Sequence, residues 1–238
     1  MKIGILQCDR VDPQWRERFG DYPDMFAALL RAVDAQLDFE TFALVDGELP
    51  RGDEAVAGWL ITGSRAGVYD ELPWIAASAD LLRRLHADGQ RMVGICFGHQ
   101  LLAQALGGRA AKADAGWGCG RHQYRLLADE QWLQAPGGRF ALQVMHQDQV
   151  LALPPGATRL AGSDFCPNAA YRIGDRVLAF QGHPEFSADY SRMLIENRRG
   201  TRIPEPLAAA ALAALDVPTD HLRVARWMRD FIAGEAPV

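Results

Sequence analysis

The sequence has no apolar run close to the length that a membrane-spanning helix needs. Such a helix takes roughly 20 consecutive apolar residues, whereas the hydrophobic residues here, 49% of 238, are interrupted throughout by charged and turn-forming ones. Residues 1–10, MKIGILQCDR, also lack the longer apolar core and the small-residue cleavage site of a secretory signal peptide. We therefore expect a cytoplasmic protein without a membrane partner.

Basic residues are also not in excess. The 25 Lys and Arg are outnumbered by 30 Asp and Glu, which leaves a formal charge of −5, and no basic stripe is present of the kind that binds a phosphate backbone. We expect no nucleic-acid partner. No CxxC pair occurs, so we predict free thiols, with no disulfide, metal site or cofactor. The cysteines are Cys8, Cys96, Cys119 and Cys166.

Strand and helix patterns alternate through the first half of the chain. This alternation predicts a parallel sheet with helices on both faces. The predicted strands are residues 2–7, 39–44, 55–61 and 91–95. The predicted helices are residues 24–37, 75–87 and 98–106.

The second half begins with short strand candidates that Gly, Pro and Asp turns separate, which favours antiparallel strands added to the parallel core. Helical patterns follow in the C-terminal third. The strand candidates are residues 122–127, 140–145, 159–162, 169–173 and 176–181. The helix candidates are residues 188–198, 206–215 and 221–232. We expect an α/β fold in one domain, 1–238, with a core of about 1–199 and a helical extension of about 200–238.

A candidate nucleophile lies in residues 91–108, RMVGICFGHQLLAQALGG. Gly94 and Gly98 flank Cys96 at the junction of an apolar strand and a helix, where they permit the tight turn that exposes the serine in a nucleophile elbow. The helix N-terminus favours the reactive thiolate. The backbone N–H of Phe97 points to where an oxyanion would develop. We predict that Cys96 is a nucleophile and that the other cysteines are small buried hydrophobes.

A candidate base follows another apolar strand, in residues 181–186, QGHPEF. Ligands of an open parallel sheet gather beyond the carboxyl ends of its strands, where Cys96 and His183 would both lie. Glu185 follows two residues later and can orient the imidazole and stabilise its cation. From these residues alone, a turn histidine beside a solvated glutamate is an equally good interpretation.

Together, GICFGHQ at residues 94–100 and HPE at residues 183–185 resemble the class I glutamine amidotransferases. The resemblance is greatest to the glutaminase domain of GMP synthetase and its stand-alone relatives, and it covers about residues 2–199. It implies the flavodoxin-like α/β fold of that family and a glutamine substrate. It also implies that Cys96 is the nucleophile, His183 the general base and acid, and Glu185 the orienting carboxylate.

The same resemblance implies the rest of the site. The turn Thr62-Gly63-Ser64 is similar to the family's glycine-rich oxyanion loop, so the N–H of Gly63 would join that of Phe97 as an oxyanion donor. Gln100 matches the position that contacts glutamine. Gly98 and Thr62 complete the implied substrate-binding set.

Some features depart from the family pattern. The loop reads Thr62-Gly63-Ser64-Arg65, where the family often has Ser-Gly-Gly-Pro. His146 and Asp148 lie in a segment that also resembles the family, and we expect them to be structural or to line the pocket. No synthetase segment follows residue 201, so ammonia would pass to a separate acceptor protein or to solvent.

Three functions are consistent with these residues. The first is a glutaminase that forms a γ-glutamyl thioester on Cys96 and supplies ammonia to an acceptor enzyme. The second is a γ-glutamyl peptidase that uses the same residues on glutathione or a similar compound. The third is a non-catalytic regulatory subunit that retains the fold.

Overall fold

The computed structural model describes residues 1–52 and 54–235, so residues 236–238 of the predicted extension lie outside the described part. The described residues form eleven strands and seven α-helices. The strands are β1 (Lys2–Leu6), β2 (Asp38–Phe42), β3 (Trp59–Ile61), β4 (Met92–Ile95), β5 (Arg109–Lys112), β6 (Gly118–Leu126), β7 (Arg139–His146), β8 (Asp148–Ala152), β9 (Ala157–Gly162), β10 (Ala170–Ile173) and β11 (Val177–Phe180). The helices are α1 (Pro13–Phe19), α2 (Tyr22–Arg31), α3 (Pro73–Ala87), α4 (Phe97–Ala105), α5 (Ala188–Arg198), α6 (Glu205–Ala213) and α7 (His221–Ala233).

Nine strands form one sheet in the order β2-β1-β3-β4-β11-β10-β9-β6-β7. The first five are parallel to their neighbours, and the remaining pairs are antiparallel. A parallel core with added antiparallel strands is the predicted fold, and it is confirmed. β5 and β8 form a separate two-stranded sheet.

Helices cover both faces of the parallel half, as predicted. Successive residues of β4 point to opposite faces, so Val93 and Ile95 pack in one apolar cluster with α2 and α7, while Met92 packs in another with α3 and α4. A third cluster lies beside the antiparallel strands and contains residues of α5 and α6. None of the described helices has the length and apolar character needed to cross a bilayer.

Several element boundaries differ from the sequence-based predictions. α2 begins at Tyr22 instead of residue 24, because Asp21 and Asp24 form a capping box in which each side chain accepts from the other residue's backbone N–H. It ends at Arg31, six residues before the predicted end. The strand predicted at 55–61 is regular only in β3. Helix α1 and the short strands β5 and β8 were not predicted.

The start of α4 lies very close to the end of β3. A Cβ atom on Gly98 would be 2.4 Å from the carbonyl oxygen of Ile61 and 2.9 Å from its Cβ. Real side chains do not come this close to backbone, so residue 98 must be glycine for the helix to approach the strand.

Gly98→Ala should therefore destabilise the protein, although Gly→Ala within a helix usually stabilises by about 0.5–1 kcal/mol. Overpacking of this kind costs about 1–3 kcal/mol. Denaturant unfolding followed by circular dichroism would measure the change in the free energy of unfolding. An unchanged or higher stability would contradict this account of the contact between α4 and β3.

Candidate active site

Cys96 lies at the turn between β4 and α4 in an unusual backbone conformation. Its φ is +54° and its ψ is −103°, and among the described residues other than glycine it alone has a positive φ. Residues of this kind are held in place by their surroundings and cluster at functional sites. Glycine at position 94 leaves room for the tight turn, since a Cβ atom on it would lie 2.6 Å from the carbonyl oxygen of Gly98.

His183 follows β11 and is fixed on two sides. Its backbone N–H donates to the carbonyl oxygen of Gln143 over 2.8 Å, which ties the segment to β7. Its ring stacks on Phe186, with centroids 3.8 Å apart and planes at 5°. Its Nδ1 lies 2.6 Å from Oε1 of Glu185, so the other ring nitrogen, Nε2, is free to face the reacting atoms.

Glu185 is buried, and its Oε2 has no hydrogen-bond partner among the described residues. A buried carboxylate with so few donors depends strongly on the one partner it has. Burial by itself lowers the pKa of an imidazole, but the Glu185 carboxylate and the Cys96 side chain outweigh it and raise the pKa of His183 above its ordinary value of 6.5. The imidazolium form is therefore stabilised next to the sulfur.

Gly63 closes the site on the third side. A Cβ atom on it would lie 2.9 Å from Cε1 of His183 and 3.7 Å from Cβ of Cys96. The loop after β3, the turn after β4 and the segment after β11 thus meet at one edge of the sheet, as the sequence predicts for Cys96 and His183.

Two buried glutamines connect Cys96 by hydrogen bonds to the start of β8. Gln181 Nε2 donates to Sγ of Cys96 over 3.6 Å. Gln100 Nε2 donates to Oε1 of Gln181 over 3.1 Å and to the carbonyl oxygen of Asp148 over 2.9 Å. Sequence reasoning missed Gln181. Its signal is a polar residue directly after an apolar strand and two residues before His183.

The other predicted site residues lie behind the reacting groups. Phe97 is fully buried as the first residue of α4. Thr62 Oγ1 accepts from the backbone N–H of Cys8 over 2.9 Å and donates to the carbonyl oxygen of Gly63 over 3.2 Å, so it holds the Gly63 loop. Gly98 faces Ile61. Neither Thr62 nor Gly98 lines the cavity over Cys96.

A cavity of about 480 Å³ opens over Cys96, His183, Gly63 and Gln100. Its walls carry both signs of charge. The acidic lining residues are Asp70 and Asp148. The basic lining residues are Arg65, Lys112, Arg198 and Arg202. His146 also lines it, and burial lowers the pKa of His146 to about 3, which keeps that ring neutral.

A larger groove of about 680 Å³ lies on the other side of Glu185. It is mostly apolar, and neither Cys96 nor Gly63 lines it. Size alone therefore does not identify the reaction site. The smaller cavity contains the nucleophile candidate, the imidazole and the charged groups.

The remaining cysteines are buried free thiols, as predicted. Burial raises the pKa of Cys119 to about 11 and that of Cys166 to about 12, and it raises the pKa of Cys8 further. Within residues 1–52 and 54–235, no group of three or more His, Cys, Asp or Glu is placed to hold a metal ion.

The sequence matches a known family model over more than half of its length. Residues 47–198 match the family described as glutamine amidotransferase class-I. Gamma-glutamyl peptidase 4 of Arabidopsis thaliana is 30% identical over 209 residues, which cover 84% of this chain and 82% of that protein. One subunit of the glutamine-hydrolyzing GMP synthase of Archaeoglobus fulgidus is 35% identical over 111 residues, covering 44% of this chain and 60% of that one.

The fold also matches a solved structure. The crystal structure of a glutamine amidotransferase from Thermotoga maritima superposes with a TM-score of 0.76 and covers 98% of each chain. At 20% identity, this similarity establishes a shared fold only.

Glu185→Gln should lower the pKa of His183, because burial then acts on the imidazole without the opposing carboxylate charge. The ¹³Cε1 resonance of His183, followed through a pH titration, measures this. His146 stays neutral above about pH 3 and is an internal reference. An unchanged His183 titration would contradict the assigned pairing.

Gly63→Ala should slow turnover by about 10²-fold, because its Cβ atom would push the His183 ring out of position, and a displacement of about 1 Å costs that much. The backbone tolerates alanine, since Gly63 does not have a positive φ. Stopped-flow or steady-state kinetics would measure the loss, with unfolding midpoints to show that the fold is retained. Full activity would contradict this placement of Gly63.

Proposed function

The chain belongs to the class-I glutamine amidotransferases, and we propose that it hydrolyses a γ-glutamyl amide through a thioester on Cys96. One observation carries the proposal: Cys96, on the strained turn after β4, meets the buried His183–Glu185 pair at the edge of a polar cavity. A thiol, an imidazole and an orienting carboxylate are the groups that covalent acyl transfer requires.

In the first half of the reaction, Cys96 Sγ attacks the side-chain carbonyl carbon of the γ-glutamyl group. The carbonyl oxygen becomes an oxyanion, which the backbone N–H groups of Gly63 and Phe97 stabilise. Nε2 of the His183 imidazolium donates its proton to the departing nitrogen. The C–N bond breaks, an amine or ammonia leaves, and the γ-glutamyl thioester remains on Cys96.

In the second half, neutral His183 takes a proton from water as the water oxygen attacks the thioester carbon. The C–S bond breaks, glutamate leaves, and the proton on His183 restores the starting pair with the Cys96 thiolate. Glu185 keeps Nδ1 protonated and Nε2 directed at the substrate throughout. Gln181 and Gln100 hold the sulfur and the cavity wall in place.

With glutamine as substrate the leaving group is ammonia, which this chain would pass to a separate acceptor protein. The similarity to a protein that is, by name, one subunit of a glutamine-hydrolyzing GMP synthase supports an arrangement of this type. A purely regulatory role is disfavoured, because the strained turn and the buried ion pair serve no structural purpose evident in the fold.

A γ-glutamyl peptidase is the second candidate, and two observations favour it. A relative of that name is similar over most of both chains. The cavity is also lined by basic side chains that ammonia release does not need, namely Arg65, Lys112, Arg198 and Arg202. The acyl chemistry is the same for both candidates, and only the leaving group differs.

Purified protein should release glutamate from glutamine, from a γ-glutamyl peptide, or from both, and Cys96→Ala should lower that rate by about 10⁴-fold or more. Mass spectrometry of protein quenched during turnover should show a γ-glutamyl adduct on the peptide containing Cys96.

Equal unfolding midpoints for the two proteins serve as the control, since Cys→Ala removes little volume. Turnover retained by Cys96→Ala would refute the nucleophile. Turnover of the peptide with glutamine at background level would assign the chain to the peptidase candidate.

A further inference from the structure

The charged side chains around the cavity differ in their partners. Asp148 is close to Tyr69 and Asp70 on one wall, near Gln100. Three arginines, Arg65, Arg198 and Arg202, line the cavity as well, and they are close enough to one another that the charges of Arg202 and Arg65 help to lower the pKa of Arg198, after burial as the main cause.

These arginines differ in how their charge is compensated. The Arg65 guanidinium donates to both carboxylate oxygens of Asp9 over 2.9 Å. The side chains of Arg198 and Arg202 form no salt bridge or hydrogen bond with any carboxylate of residues 1–52 and 54–235. Arg198 is also partly withdrawn from solvent. A half-buried guanidinium without an anion is costly unless a ligand supplies one.

Arg198 lies on the same wall as the group that protonates the leaving group. His183 stacks on Phe186, and Phe186 stacks on Tyr22 with ring centroids 6.5 Å apart. Tyr22 is close enough to Arg198 to act on its charge, and all four of these side chains line the cavity. The wall thus continues from His183 through aromatic rings to the guanidinium.

Arg202 lies in the turn that follows α5. Its backbone N–H donates to the carbonyl oxygen of Arg198 over 3.0 Å, which holds the turn after α5 against the end of the helix. Both line the cavity. The two cations can therefore act on one anionic group.

We propose that Arg198 and Arg202 bind a carboxylate in the leaving group, so that the preferred substrate is a γ-glutamyl peptide with a free C-terminal carboxylate. This inference rests on the proposed γ-glutamyl hydrolysis. Glutamine releases only ammonia, which offers these guanidinium groups nothing to bind. A peptide leaving group extends from the scissile nitrogen beside His183 along the wall and presents its carboxylate to Arg198, where planar guanidinium and carboxylate form paired hydrogen bonds.

The test compares γ-glutamyl-alanyl-glycine with its C-terminal amide, which differ in one carboxylate and contain no thiol. For the wild-type protein, kcat/KM should be about 10- to 100-fold higher for the acid, as expected for hydrogen bonds to a charged group. Arg198→Gln should reduce this ratio to within about twofold of one, mainly by raising KM for the acid. Arg198→Lys, which retains the charge, should keep part of the preference.

Arg192→Gln is the matched control. Arg192 lies on the same helix, pairs with Asp216 and does not line the cavity, so this variant should keep the wild-type ratio.

The possible failures are distinguishable. Turnover of acid and amide at equal rates by the wild-type protein would overturn the arginine assignment and leave the hydrolysis proposal standing. An unchanged ratio in Arg198→Gln would do the same. If neither peptide nor glutamine is turned over and no adduct forms on Cys96, the proposed function itself fails.

Discussion

The Cys96 side chain projects from the sheet because α4 begins immediately after it and lies almost in contact with β3 and β4. Gly98 permits the approach to Ile61, and Gly94 permits the approach of the helix to its own strand. The tight turn forces Cys96 to a positive φ, a conformation that costs on the order of 1–3 kcal/mol and persists only where surrounding packing enforces it. Burial on both faces of the parallel sheet provides that enforcement.

The register of three adjacent strands brings the remaining groups to the same level. Ile61 pairs with Gly94, and Ile95 pairs with Phe180. The backbone N–H of Cys96 donates to the carbonyl oxygen of Phe180 over 2.9 Å. This bond places the nucleophile candidate next to the segment that leads from β11 to His183. Parallel strands end at a common edge, so three loops from distant parts of the sequence supply one site.

Local patterns in the sequence predicted this site because each of its main groups directly follows an apolar strand. The glycines around Cys96 and the HPE segment after β11 identified the meeting point without any knowledge of side-chain contacts. Gln181 was not predicted, because its role depends on a hydrogen bond to a sulfur 85 positions away. The sequence around Arg198 does not mark it as a cavity residue either, because arginines on helices are usually solvated. The capping box that sets the start of α2 could have been predicted from the sequence. By contrast, β5 and β8 are too short and too polar to show a strand pattern.

The burial of the other thiols has a practical consequence. Cys8, Cys119 and Cys166 are each at most 3% exposed and lie outside the cavity, whereas Cys96 lines it. A small electrophile should therefore consume one equivalent per folded chain, and that stoichiometry counts the competent molecules in a preparation. Rates measured on different batches or variants could then be normalised to active sites instead of to total protein.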